Sequence, residues 1–178
     1  MGPGQERLGP FASPLHDDQG VIGPMHPNCD AVNDILQAAG LPGRVRMLDE
    51  AVATAKAAAQ YLGCPVGAIA NSLIFATDSG EPLLIMTSGA HRVDMIKVGE
   101  LLGVELRRAT PEFVRQHTGQ PIGGVAPVGH PQPVRTIVDR ALAEFDELWA
   151  AGGIPHAVLP LSYRELLILT SGTEADVV

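Results

Sequence analysis

Two apolar runs dominate the hydrophobic pattern of this 178-residue chain: IANSLIFAT over residues 69–77 and PLLIMT over 82–87, separated by a turn at Asp78, Ser79 and Gly80. Runs of this length, rich in β-branched and apolar side chains and joined by a short glycine-containing turn, predict a hairpin. A strand with one wet face would alternate polar and apolar positions, so their continuous apolarity places both strands inside a sheet. Upstream, Val32, Ile35, Leu36 and Ala39 recur at helical spacing, with Asn28 as the expected cap and Gly40 and Pro42 as the stop. Residues 44–48 alternate basic and apolar, as a half-buried strand does. Thr54 opens an alanine-dense helix that Gly63 closes.

Downstream of the hairpin a helix is expected over 93–102, turning Val93, Ile96, Leu101 and Leu102 inward, followed by a short strand at 105–108. Thr110 and Pro111 start another helix, which ends at Gly119. Strands are expected at 134–138, 147–151 and 157–161, with a short helical stretch at 141–145 and a last helix capped by Ser162 and ended by Gly172. Hairpins and crossovers mixed in this way predict an α+β fold: one domain built on a mixed, strongly curved, barrel-like sheet with helices packed outside. Residues 1–27, rich in Gly and Pro and without periodicity, read as an extended or poorly ordered lead-in to a domain over 28–178.

Composition narrows the function. The net charge of −8 and the 4% aromatic content argue against a DNA binder or a single-strand stacking platform. Seven of the twelve basic residues lie between Arg92 and Arg140, against five acids, which leaves one region locally positive. Cys29 and Cys64 have neither metal-ligand spacing nor a disulfide pattern and are expected to be reduced and buried. With no signal-peptide pattern and no run near the ~20 apolar residues that span a bilayer, the cytoplasm is the expected location and no membrane is implied.

The six histidines are scattered, so no metal site is expected, and the standard nucleotide, zinc-protease and serine-hydrolase motifs are absent. The candidate chemistry lies in two glycine pairs, each followed by a histidine: Gly123 and Gly124 before His130, and Gly152 and Gly153 before His156. Glycine lets a ligand approach main-chain N–H groups closely. The first pair therefore reads either as an oxyanion-binding loop with the second pair shaping the opposite wall, or, as plainly, as two turns beside ordinary surface histidines.

The segments TAKAAAQYLGCPVGAIANSLIF, HRVDMIKVGELLG, TGQPIGGVAPVGHPQPVRTIVD and AGGIPHAVLPLSYRELLILTSG resemble, in order and spacing, the YbaK/EbsC-type aminoacyl-tRNA editing deacylases, relatives of the editing domain of bacterial prolyl-tRNA synthetases. The resemblance implies hydrolysis of misacylated tRNA, with Ala- or Cys-tRNA(Pro) as the expected substrates, no cofactor or metal, and misacylated tRNA and prolyl-tRNA synthetase as partners. It implies that Gly123 and Gly124 bind the aminoacyl carbonyl, and that Asp139 holds the substrate amine or orders the pocket, a helix N-cap being the competing role. Where the family commonly has lysine this chain has Asn71, which with Ser72 would perform a gentler version of that task. A non-catalytic tRNA or aminoacyl-ligand binding module of the same fold is the alternative. His156 stands where some relatives have glycine, which reshapes the amino-acid pocket.

Overall fold

The computed structural model describes residues 25–178, so most of the expected lead-in, residues 1–24, lies outside the described residues. Helix α1 (Pro27–Ala38) begins two residues earlier than its pattern suggested. His26 is the N-cap, its ring accepting from the Asn28 N–H, and Pro27 takes the first turn, where a missing N–H costs nothing. The sheet is built from β1 (Arg46–Met47), β2 (Ile69–Thr77), β3 (Pro82–Ser88), β4 (Leu106–Arg108), β5 (Arg135–Asp139), β6 (Leu148–Ala151), β7 (Ala157–Leu161) and β8 (Thr173–Ala175). The strand order is β1-β7-β6-β2-β3-β5-β8, with β4 also pairing β2, so the hairpin is central as its apolarity demanded. Pairings β2·β3, β2·β4, β6·β7 and β1·β7 are antiparallel, while β2·β6, β3·β5 and β5·β8 are parallel. The architecture is α+β in a single mixed sheet.

Period-2 alternation divides the strands between two apolar faces. Leu84 and Met86 of β3 join Val138, Leu148, Ala150, Leu159 and Leu161 in a core that also contains Val32 and Leu36 of α1 and Leu166 of α5 (Tyr163–Thr170). Their neighbours Leu83, Ile85 and Ile137 point the other way, to α3 (Met95–Leu102). Ile69, Trp149 and Val158 likewise face α2 (Ala55–Leu62). Helix caps follow the sequence: Thr54, Thr110 and Ser162 accept main-chain N–H bonds at their helix starts, and Ser162 with Glu165 forms a reciprocal capping box. Such caps contribute about 1 kcal/mol each. Thr110 opens α4 (Pro111–Thr118).

Two further expectations fail, and one strand is unforeseen. Ile96 and Leu101 are 76% and 60% exposed, not inward, because α3 lies flat on the sheet through Val98 and Gly99. A Cβ on Gly99 would stand 2.6 Å from the Val104 carbonyl oxygen, and that close approach fixes which face is buried. Strand β8, three residues with no apolar run, was not expected; it exists because β5 offers it a parallel partner. Cys29 is fully buried and burial pushes its thiol up to about 11, but Cys64 is only half-buried.

Candidate functional site

Beside Gly123 lies a small, open-mouthed hollow. It forms where parallel strands β2 and β6 part. They pair only at Ile69 with Trp149 and Ala70 with Ala150; Asn71 and Ala151, next in register, have separated. Small side chains of Ala53, Ala55, Ala58, Ala151 and Ala157 leave the space, and Trp149 and Val158 wall it. The alanines of α2 were expected for close packing on the sheet; that some of them also shape a hollow could not be read from one sequence. Trp149, with the Arg46 guanidinium 5.3 Å over its ring, was missed altogether.

Of the nine expected site residues, the hollow gathers Asn71, Ser72 and Gly123. Asn71 is half-buried and its side-chain amide has no hydrogen-bond partner among the described residues. Gly123, at φ +85°, has a main-chain N–H that likewise donates to none. The Ser72 hydroxyl contacts Met86 Sδ at 3.2 Å. No charged side chain lines the hollow among the described residues.

The other six serve other ends. Gly124 donates its N–H to the Pro121 carbonyl at 2.9 Å, closing the turn, so it is not a free donor as expected. It is glycine because a Cβ would stand 2.6 Å from Ile154 main-chain atoms. Gly152 and Gly153 do not line the hollow: Gly152 donates to the Ala157 carbonyl within the β6–β7 connection. The Gly153 carbonyl accepts from the Asn28 side chain at 3.0 Å. Thus the second pair braces the first, through Ile154, from behind. His156 is exposed and outside the hollow; its carbonyl accepts from the Leu48 N–H. His130 places Nε2 2.9 Å from the Ala126 carbonyl oxygen, and burial holds its pKa below the usual histidine value against the opposing pull of that bond.

Asp139 is 2% exposed and every face of its carboxylate is used. Oδ2 accepts from the Ser88 N–H at 3.0 Å and the Thr87 hydroxyl at 3.3 Å, and lies 2.7 Å from His91 Nδ1. Oδ1 accepts from the Ala141 N–H, capping the 3-10 turn Arg140–Glu144. Thr87 is the cross-strand partner of Asn71, which puts Asp139 about 10 Å from Asn71, two strand spacings away. The N-cap role is therefore the one the geometry supports, and contact with a substrate amine in the hollow is not.

Comparison with known proteins decides the family. A model of the aminoacyl-tRNA editing domain matches residues 49–169. The chain belongs to the aminoacyl-tRNA editing domain family. Its fold is shared with a crystallised candidate trans-editing enzyme for prolyl tRNA synthetase, at 42% identity and a TM-score of 0.80 over 86% of this chain and 98% of that one. Among curated relatives, the uncharacterized protein YwhH of Bacillus subtilis is 31% identical over 64% of this chain and 73% of its own length. A proline–tRNA ligase of Nitratidesulfovibrio vulgaris is 36% identical over 52% of this chain, a match that spans 16% of the ligase.

Proposed function

We propose that this chain is a trans-editing deacylase that hydrolyses the ester of a misacylated tRNA, with Ala- or Cys-tRNA(Pro) as substrate, in the cytoplasm and alongside prolyl-tRNA synthetase. The observation that carries this is that Gly123 and Asn71, whose main-chain N–H and side-chain amide have no partner among the described residues, both line a small hollow. Editing is needed because a synthetase pocket separates amino acids differing by a methylene by only about 1–3 kcal/mol.

Water adds to the ester carbonyl carbon, and the negative oxygen of the tetrahedral intermediate is supported by the Gly123 N–H, a kind of donor worth about 3 kcal/mol. The bond from carbon to the terminal ribose oxygen then breaks, and that oxygen takes up a proton to leave free amino acid and tRNA. Asn71 donates its amide to the acyl or ribose oxygens without supplying full charge. The water and the substrate's own hydroxyl carry the protons, which suits a hollow with no charged side chain.

The replacement of the family lysine by Asn71 favours one rival, an aminoacyl-tRNA binding module without turnover. Release of amino acid from purified Ala-, Cys- and Pro-tRNA(Pro) separates the two. The deacylase hydrolyses at least one mischarged tRNA well above its spontaneous rate and spares Pro-tRNA(Pro), whereas binding without any release would leave only the module.

A further inference from the structure

An aminoacyl ester carries an α-amine as well as a carbonyl, and among the described residues the hollow offers that amine no carboxylate. Asp139, which the sequence offered for the purpose, is saturated and about 10 Å from Asn71. An alternative acceptor follows from the sheet. On the side of β2 away from β3, β6 covers only Ile69 and Ala70 and β4 covers only Phe75 to Thr77. Among the described residues, 71–74 therefore have no strand opposite them, which leaves a window in the middle of an otherwise paired strand.

Main-chain groups along a strand point alternately to its two sides. The Ile69 carbonyl accepts from Gly89, just beyond β3, so Ile69, Asn71 and Leu73 direct their main-chain groups toward β3. Ser72 and Ile74 then direct theirs into the window. Ser72 also lines the hollow, and at the parting of β2 and β6 its N–H and C=O lie side by side at the inner edge. In an antiparallel sheet, a residue in that position exchanges two hydrogen bonds with the residue opposite, donating its N–H to the partner carbonyl and accepting the partner N–H.

We propose that the aminoacyl group of the substrate docks against Ser72 as a strand of one residue. Its α-amine donates to the Ser72 carbonyl and its ester carbonyl accepts from the Ser72 N–H, so that the Ser72 and Gly123 amides together hold the carbonyl oxygen. This is strand addition to an exposed edge reduced to a single residue, and it makes recognition of the amine independent of any charged side chain. The hollow then selects for a free α-amino acid by its main chain and for a small side chain by its alanine walls. The inference rests on the deacylase reading and adds to it the group that reads the amine.

The test compares tRNA(Pro) charged with alanine and tRNA(Pro) charged with propionate, which is alanine without its amine. Each enzymatic rate is divided by that ester's spontaneous hydrolysis rate. Loss of the amine is expected to lower the normalised kcat/KM by about 100-fold or more, the scale on which sites built to hydrogen-bond a group reject analogues lacking it. A second arm replaces the Ser72 peptide N–H by an ester oxygen, which leaves every side chain in place. It is expected to lower kcat about tenfold or more on alanyl-tRNA while the thermal midpoint holds within a few degrees. If alanyl- and propionyl-tRNA are hydrolysed within about threefold of one another, the docking at Ser72 is overturned and the deacylase stands. If no charged tRNA is hydrolysed, both fall.

Discussion

The hollow at Gly123 and the cluster around Asp139 lie two strands apart on the same sheet, and both looked like site chemistry in the sequence. In the cluster, one carboxylate is surrounded by the Thr87 hydroxyl, the His91 ring and two main-chain N–H groups, all directed at it. In the hollow, an asparagine amide and a glycine N–H meet no partner at all among the described residues. Both arrangements are rich in polar atoms, but only the second has hydrogen-bonding capacity left to offer a ligand. A buried polar group whose bonds are complete holds the fold, and one left open at a cavity wall is free for binding.

The same division runs through the glycine pair itself, and it can be broken most forcefully there. Gly124→Ala puts a Cβ 2.6 Å from Ile154 and 2.8 Å from Pro155, against main-chain atoms that cannot rotate away. The expected loss is about 3 kcal/mol of stability, read by urea denaturation, with insoluble protein as the extreme outcome. An unchanged denaturation midpoint would return Gly124 to the chemical side of the comparison. Asp139→Ala comes next. It strands a buried hydroxyl, a ring nitrogen and two N–H groups, for an expected cost of about 2–3 kcal/mol. Any protein that folds should keep its KM for charged tRNA within about twofold, since the carboxylate does not reach the hollow. A KM raised tenfold with stability intact would show that Asp139 touches substrate after all.

Asn71→Ala tests the open side. Its amide bonds to nothing among the described residues, so the thermal midpoint should move by no more than about 2 °C. The kcat/KM for mischarged tRNA should fall about 10–50-fold, the effect of losing one hydrogen bond to a charge-developing oxygen. The opposite pattern, lost stability with unchanged turnover, would make Asn71 another structural residue.

The sequence made the fold legible where local rules decide it. The 69–77 and 82–88 strands, the caps at Thr54, Thr110 and Ser162, and the closing glycines at 63 and 119 all follow from side-chain type and backbone freedom within a few residues. It was less legible where long-range packing decides. Ile96 and Leu101 are exposed because of how Gly99 meets Val104, and β8 exists because β5 offers it an edge. The site shows the same limit. Asn71, Ser72 and Gly123 could be named from motif spacing, but whether an N–H is spent depends on what stands opposite it. Gly123 and Gly124 are adjacent and chemically identical, yet one amide is open and the other closes a turn on Pro121. The hollow's wall of alanines and Trp149 comes from three distant segments, and no single stretch announces it.

His130 offers the smallest and most selective probe of the spent side. Its ring is half-buried and bonded to the Ala126 carbonyl, and that partial burial lowers its pKa from the ordinary 6.5. Between that lowered value and 6.5 the unfolded chain binds a proton that the native protein refuses. Stability therefore rises with pH across this window, is complete above it, and is lost as pH falls through it. Replacement by asparagine removes this titration but leaves the other histidines to contribute equally in both proteins, so the difference between them isolates the His130 contribution. Urea unfolding at pH 7.5 and pH 5.5 should show the wild type losing more stability on acidification than His130→Asn, by no more than about 1 kcal/mol. Equal losses would mean that the ring takes up its proton in the folded protein as readily as in the unfolded chain. His130 would then be open to solvent, and its bond to Ala126 would no longer mark it as a closed group like Asp139.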